Sequence, residues 1–171
     1  MQDEKANYLI KSLHFVFLVL IFELLLSACT QIEKAKDVTL VKDAVMRYNK
    51  GLIEAAKTGN VESLKGMASD DVLRRLYHWI AAWEDSDLYM DATAKDIKFK
   101  NINIIGQTAR VLTAEDWIYE YKSIKTKRVA LPASGIYYEM EYILQKRDNK
   151  WVITAINIKS EKKKDRGTEH K

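Results

Sequence analysis

Apolar residues recur at three- and four-residue spacing through Val41, Ala44, Val45, Tyr48, Leu52, Ala55 and Ala56, which places them on one face of a helix. Asp37 stands at the N-cap position, and Thr58-Gly59-Asn60 supplies a glycine stop. Val61, Leu64 and Met67 share one side of a short second helix over residues 61–67. Ser69-Asp70-Asp71 opens a third, with a hydroxyl able to cap orphan amides and two acids at the positive end of the helix dipole. Its apolar face is Val72, Leu73, Leu76, Ile80 and Trp83, and Glu84-Asp85-Ser86-Asp87 ends it. From Asp96 the period drops toward two, and β-branched and aromatic residues dominate, so the rest of the chain reads as a sheet. One strand runs from Ile97 to Ile105, with a register change between Phe99 and Ile102 that predicts a bulge, and Gly106-Gln107 turns it back. Thr108 to Ser123 forms a long strand with Val111, Thr113, Glu115, Trp117, Tyr119 and Tyr121 on one side, and Leu112, Ala114, Asp116, Ile118 and Glu120 on the other. After a loop over 125–135 that holds Pro132, strands Ile136 to Lys146 and Trp151 to Lys159 form a hairpin across Asp148-Asn149. Apolar-in alternation would bury Ile136, Tyr138, Met140, Tyr142 and Leu144 and turn Glu139 and Glu141 outward. Helices first and strands second is an α+β order.

Ahead of these elements lies an apolar run from Leu13 to Leu26, flanked by Lys5 and Lys11 and ending in Leu26-Ser27-Ala28-Cys29. The run is shorter than the roughly 20 residues of a spanning helix, which describes a secretory signal. Its last four residues resemble the lipobox of bacterial lipoproteins. The resemblance implies cleavage before Cys29, acylation of its sulfur, and fatty chains that hold the protein to a bilayer, where two or more chains anchor stably. Glu23, inside the run, and the acidic pair Asp3 and Glu4 depart from the pattern. An uncleaved N-terminal membrane helix is the other reading, and both put the remaining chain on a membrane. The domain plan is a signal peptide over 1–28, a tether over 29–36, an α+β domain over 37–159, and a disordered basic tail over 160–171 with Lys162, Lys163, Lys164 and Arg166. Thr30, rather than Asp, after the cysteine points by the same resemblance to the outer membrane, on its periplasmic face.

Charge adds little to this picture. The 143 residues from Cys29 onward carry 26 Lys and Arg against 21 Asp and Glu, and most of that excess sits in Lys159 to Lys171, with six basic residues against three acidic. A nearly balanced domain has no broad basic face, so a nucleic-acid partner is not expected. With Cys29 as the sole cysteine no internal disulfide can form. Four Trp, nine Tyr and one Pro describe an ordered, aromatic-rich domain held by packing.

At this point the chain resembles the nuclear transport factor 2-like (cystatin-like cone) superfamily. The likeness is carried by the opening helix with Lys57-Thr58-Gly59-Asn60-Val61-Glu62, by Ala109 to Trp117, and by the closing stretch Tyr142 to Ile153 with its charged turn and Trp-x-Ile strand. Within the superfamily the Glu-x-Trp-x-Tyr strand and Trp-rich third helix look closest to the IMS-type domains of organelle division and import proteins. The resemblance implies helices packed on the concave face of a curved four-stranded sheet, with a pocket at the wide end. The superfamily includes dehydratases and isomerases as well as members with no catalysis, so the fold leaves function to the residues.

Those residues favour binding over chemistry. His78, the one histidine inside the domain, lies roughly opposite the apolar face of its helix and has no Asp at helical spacing to orient it. Arg75, Trp79 and Trp83 form a group, the two tryptophans at i, i+4 spacing able either to floor a ligand cavity or simply to fill the cone. The expected pocket is Trp79, Trp83, Trp117 and Tyr119. No catalytic residue is assigned; a cofactor-independent lyase or isomerase using Glu115 or Asp116 with Tyr119 and His78 is the alternative. Which face of the long strand points inward stays open. The sequence contains no metal-ligand cluster, phosphate-binding glycine loop or nucleophile triad, so neither metal nor cofactor is expected. The expected function is that of an envelope lipoprotein, anchored through lipidated Cys29, whose domain binds a partner protein or a small ligand and whose sheet offers a face for a homodimer.

Overall fold

The computed structural model describes residues 35–164. Two compact units divide the chain, residues 1–39 and 40–171, and all contacts below belong to the second. Helix α1 covers residues 35–58, so Asp37 lies within the helix and is not its N-cap. The predicted apolar stripe is buried: Val41, Ala44, Val45, Tyr48, Ala55 and Ala56 are all under a tenth exposed, joined by Asn49. The helix stops where the glycine stands, with Gly59 at φ 77° and its N–H donating to the Ala55 carbonyl at 2.8 Å.

The expected helix over 61–67 shrinks to a 3₁₀ turn, Val61–Leu64. Gly66 at φ 77° breaks it, and the following residues turn to the sheet: Ile153 N–H donates to Met67 O at 3.0 Å and Ser69 N–H to Ile153 O at 2.8 Å. That docking uses the backbone of Ser69, whose side chain makes no capping bond at the start of helix α2, Asp70–Glu84. α2 buries Val72, Leu73, Leu76 and Ile80 as predicted, while Trp83 is half-buried.

Four antiparallel strands follow in spatial order β1-β2-β3-β4: β1 Leu88–Ile105, β2 Thr108–Ser123, β3 Val129–Arg147 and β4 Lys150–Lys163. Three are longer than the sequence pattern indicates. β1 begins at Leu88 and not near Asp96, since Met90 and Ala92 alternate inward opposite Tyr121 and Tyr119; small alanines had masked the period. β3 takes in the expected loop, Pro132 included. The proline sits between the pairs Ser134↔Tyr119 and Leu131↔Tyr121, where the register shifts, and β4 pairing with β3 reaches no further than Ile136. A residue without an N–H is tolerated at such an edge bulge. β4 runs on through residues placed in the tail, with Glu161 opposite Tyr138 and Lys163 opposite Ile136. Lys164 adds an N–H bond to Gly135 O at 2.9 Å and an ion pair with Asp116. The expected bulge appears between Phe99 and Asn101, and the β3–β4 turn holds Asp148 and Asn149 at φ 48° and 60°.

The helices cover one side of the sheet. Val41, Val45, Tyr48 and Leu76 cluster with Val111, Tyr142, Leu144 and Ile153, which settles the open parity: the Val111-Thr113-Glu115-Trp117 side of β2 faces the helices. A second cluster joins Ala56 to Met90, Ala92 and Trp117. The outer face carries polar pairs such as Arg110–Glu141 at 3.4 Å and Asn157–Glu141 at 3.0 Å, with Glu139 exposed. The architecture is α+β, two helices on a four-stranded antiparallel sheet.

Candidate functional site

Between α1, α2 and the inner face of the sheet lies a cavity of about 560 Å³, within the usual size of small-molecule sites. α1 contributes Tyr48, Asn49 and Leu52, and α2 contributes Val72, Arg75, Leu76 and Trp79 at i, i+3, i+4 and i+7. Strand register supplies the floor. Glu115 on β2 stands opposite Tyr138 on β3, and Tyr138 opposite Glu161 on β4, so two carboxylates flank one phenol across three strands.

Glu115 is 1% exposed, and a carboxyl group so buried requires partners. Its Oε1 accepts from Thr113 Oγ1 at 2.6 Å and from the Tyr142 hydroxyl at 2.8 Å, while Oε2 accepts from Trp117 Nε1 at 2.8 Å. The Tyr142 oxygen in turn accepts from Asn49 Nδ2 at 3.1 Å. The strand alternation makes this possible, because Thr113, Glu115 and Trp117 point to the same side two residues apart. The network ties α1 to β2 and β3. Beside it the Trp117 and Tyr119 rings lie parallel, 5.8 Å apart, and Tyr119 meets Tyr138 edge-on at 6.4 Å.

Burial sets the acidity of the phenols. It pushes Tyr48 up to about 12 against a lowering pull from the Arg75 guanidinium. Tyr119 is raised by burial and then by Tyr138 beside it, and Tyr142 by burial and then by Glu115. Desolvation disfavours the phenolate in each case, so near neutral pH the cavity wall offers O–H groups and aromatic faces.

Of the expected pocket residues, Trp79, Trp117 and Tyr119 line the cavity. Trp83 stands aside, its ring 4.3 Å from that of Tyr121, itself a lining residue. The alternative catalytic set is split. Glu115 and Tyr119 face the cavity, Asp116 pairs with Lys164 on the outer face, and His78 is exposed with its ring 5.6 Å from Tyr77. Cys29 lies outside the described residues. Tyr48, Asn49, Tyr142 and Glu161 were missed as site residues. Tyr48 and Tyr142 read as core in a pattern of apolar spacing, Asn49 is a polar residue outside the apolar stripe of its helix, and Glu161 fell in a stretch with no apolar period. Among the described residues no group of three or more His, Cys, Asp and Glu is placed to hold a metal ion, and no helix is long and apolar enough to cross a membrane.

A general base needs a lone pair directed at its substrate; both Glu115 oxygens already accept from the protein. What the arrangement offers is an aromatic, largely apolar enclosure with hydroxyls, one guanidinium and one further carboxylate around it.

No protein-family profile matches the chain, and no curated protein matches it. Solved structures do. The intermembrane space region of the chloroplast protein ARC6 superposes with a TM-score of 0.62 at 15% identity, over 69% of this chain and 92% of that one. A putative dehydratase of the NTF2-like family from Streptomyces avermitilis aligns at 0.47 and 16% identity, over 70% of this chain and 93% of that one. At such identities the likeness is one of fold: the α+β arrangement of helices on a four-stranded sheet is shared with the ARC6 domain.

Proposed function

We propose that this chain is a lipid-anchored envelope protein whose α+β domain binds a small ligand in the cavity between helices and sheet, without catalysing its conversion. The observation that carries the binding reading is the cavity itself, about 560 Å³, floored by a carboxyl group with all its hydrogen bonding directed to Thr113, Trp117 and Tyr142. A site built for proton transfer would leave that group facing its substrate; here its partners are strand side chains, one of which, Tyr142, carries the network on to Asn49 of α1. The anchor rests on the lipobox-like Leu26-Ser27-Ala28-Cys29. Acyl chains at Cys29 would hold the domain at the periplasmic face of the outer membrane.

Protein purified from its own membranes and analysed by native mass spectrometry tests the binding reading. The expected result is a co-purifying small molecule that is absent from Met140→Trp, a variant that fills the half-buried cavity wall and keeps the wild-type circular dichroism. An empty wild-type cavity, or equal retention by both proteins, would sink it. The intact mass tests the anchor, with loss of residues 1–28 and an acylated Cys29 expected. A retained first methionine and a free thiol would remove it.

A further inference from the structure

The cavity-facing stripe of α2 is apolar at three positions, Val72, Leu76 and Trp79, and cationic at the fourth, Arg75. Nothing in the described protein neutralises that charge. The adjacent Arg74 is held by Asp71 at 2.6 Å, whereas Arg75 has no carboxylate within ion-pair distance among the described residues. Tyr48, 3% exposed, lines the same cavity, close enough for the guanidinium to pull its pKa down. Its hydroxyl also has no hydrogen-bond partner among the described residues, in contrast to the engaged Tyr142. Arg75 is exposed at the cavity edge, so its guanidinium fork and the neighbouring phenol stand as a pair of donors with no protein acceptor, open to a ligand in exchange for water. The mouth beside them is apolar: Trp79 is 40% exposed on the helix side and Ile158 59% on the strand side.

We infer that the cavity takes an amphipathic monocarboxylate, its carboxylate received by the Arg75 guanidinium and the Tyr48 hydroxyl and its apolar body lying against Trp79, Ile156 and Ile158. The assignment rests on the binding reading above and gives its ligand class. A carboxylate matches the planar guanidinium with two parallel hydrogen bonds, which a hydroxyl or amide oxygen cannot do. Glu161 faces the same cavity from β4, so a second negative charge on the ligand is repelled and a monoanion is preferred.

Two water-soluble probes of matched shape test this, 4-phenylbutyrate and its neutral amide, titrated calorimetrically into the full chain in a neutral detergent. The acid is expected to bind about tenfold more tightly than the amide. Arg75→Gln should bring the acid down to the amide's affinity and leave the amide unchanged. Arg75→Lys should recover only part of the difference, because an ammonium lacks the fork. Tyr48→Phe should cost the acid several-fold without altering the folded spectrum. Equal binding of acid and amide by the wild type, or an unchanged acid affinity in Arg75→Gln, overturns the assignment while the binding reading stands. Binding of neither probe also overturns it, and the binding reading is then decided by the co-purified molecule.

Discussion

Glu115 is where polar chemistry enters the core of this domain, and its three donors make its identity exacting. Glutamine in its place keeps the shape but turns an acceptor into an NH₂ that faces either the Trp117 indole N–H or the two hydroxyls. Facing the indole, that NH₂ sets donor against donor; facing Thr113 and Tyr142, whose hydroxyls can rotate to accept, it exchanges carboxyl hydrogen bonds for weaker amide ones, at about 2–3 kcal/mol in all. Glu115→Gln should therefore lower the free energy of unfolding by about that amount, measured by urea denaturation. Tyr142→Phe, which removes one of the donors, should cost less, about 1–2 kcal/mol. The phenols give a pH signature. An unfolded tyrosine ionises near 10, whereas burial holds Tyr48 protonated up to about 12. Between these values the folded state binds more protons than the unfolded one, so the stability Tyr48 contributes is constant below pH 10 and is lost as pH rises above it. A pH series of urea midpoints should show that decline, with phenolate absorbance of the buried tyrosines appearing together with unfolding. Midpoints that hold steady to pH 12 would contradict it.

At the scale of elements, Gly51 shows what a spacing pattern omits. Glycine inside a helix costs about 1 kcal/mol relative to alanine, so the sequence pattern makes Gly51 a weak point of α1. In the structure a Cβ there would come within 2.4 Å of Leu64 Cδ2, and Leu64 is fully buried, so its side chain would have to repack within the core. α1 and the 3₁₀ turn approach closely because this side chain is missing. Gly51→Ala should thus destabilise by about 1–2 kcal/mol, overpacking outweighing the propensity gain; a higher thermal midpoint would refute the argument. The stripes of α1 and α2, the bulge after Phe99 and the Asp148-Asn149 turn were readable because each depends on neighbours in sequence. The 61–67 helix was not, since the backbone of residues 67 and 69 bonds to Ile153 instead, a strand far along the chain.

Across the whole unit, the end of β4 matters most for the site. Residues 161–163 form the outer end of the sheet beside β3 and bring Glu161 to the cavity, while Lys164 pairs with Asp116 across to β2. Ending the chain after Ser160 should lower stability by about 1–2 kcal/mol through lost ladder bonds and should loosen the cavity wall, seen as faster amide exchange in residues 136–139. A tail without structure would leave both unchanged.

Sequence alone determined the α+β order, the faces of both helices, the long second strand and the placing of Trp79, Trp117 and Tyr119 among the candidates, since side-chain period is imposed by local backbone geometry. Tertiary structure decided the rest. Which side of β2 meets the helices, the separation of Asp116 and His78 from Glu115, and the strand character of 88–95 and 160–163 all depend on pairing between distant segments. A short run of small or charged residues carries no period of its own; it becomes a strand only when a neighbouring strand completes its hydrogen bonds.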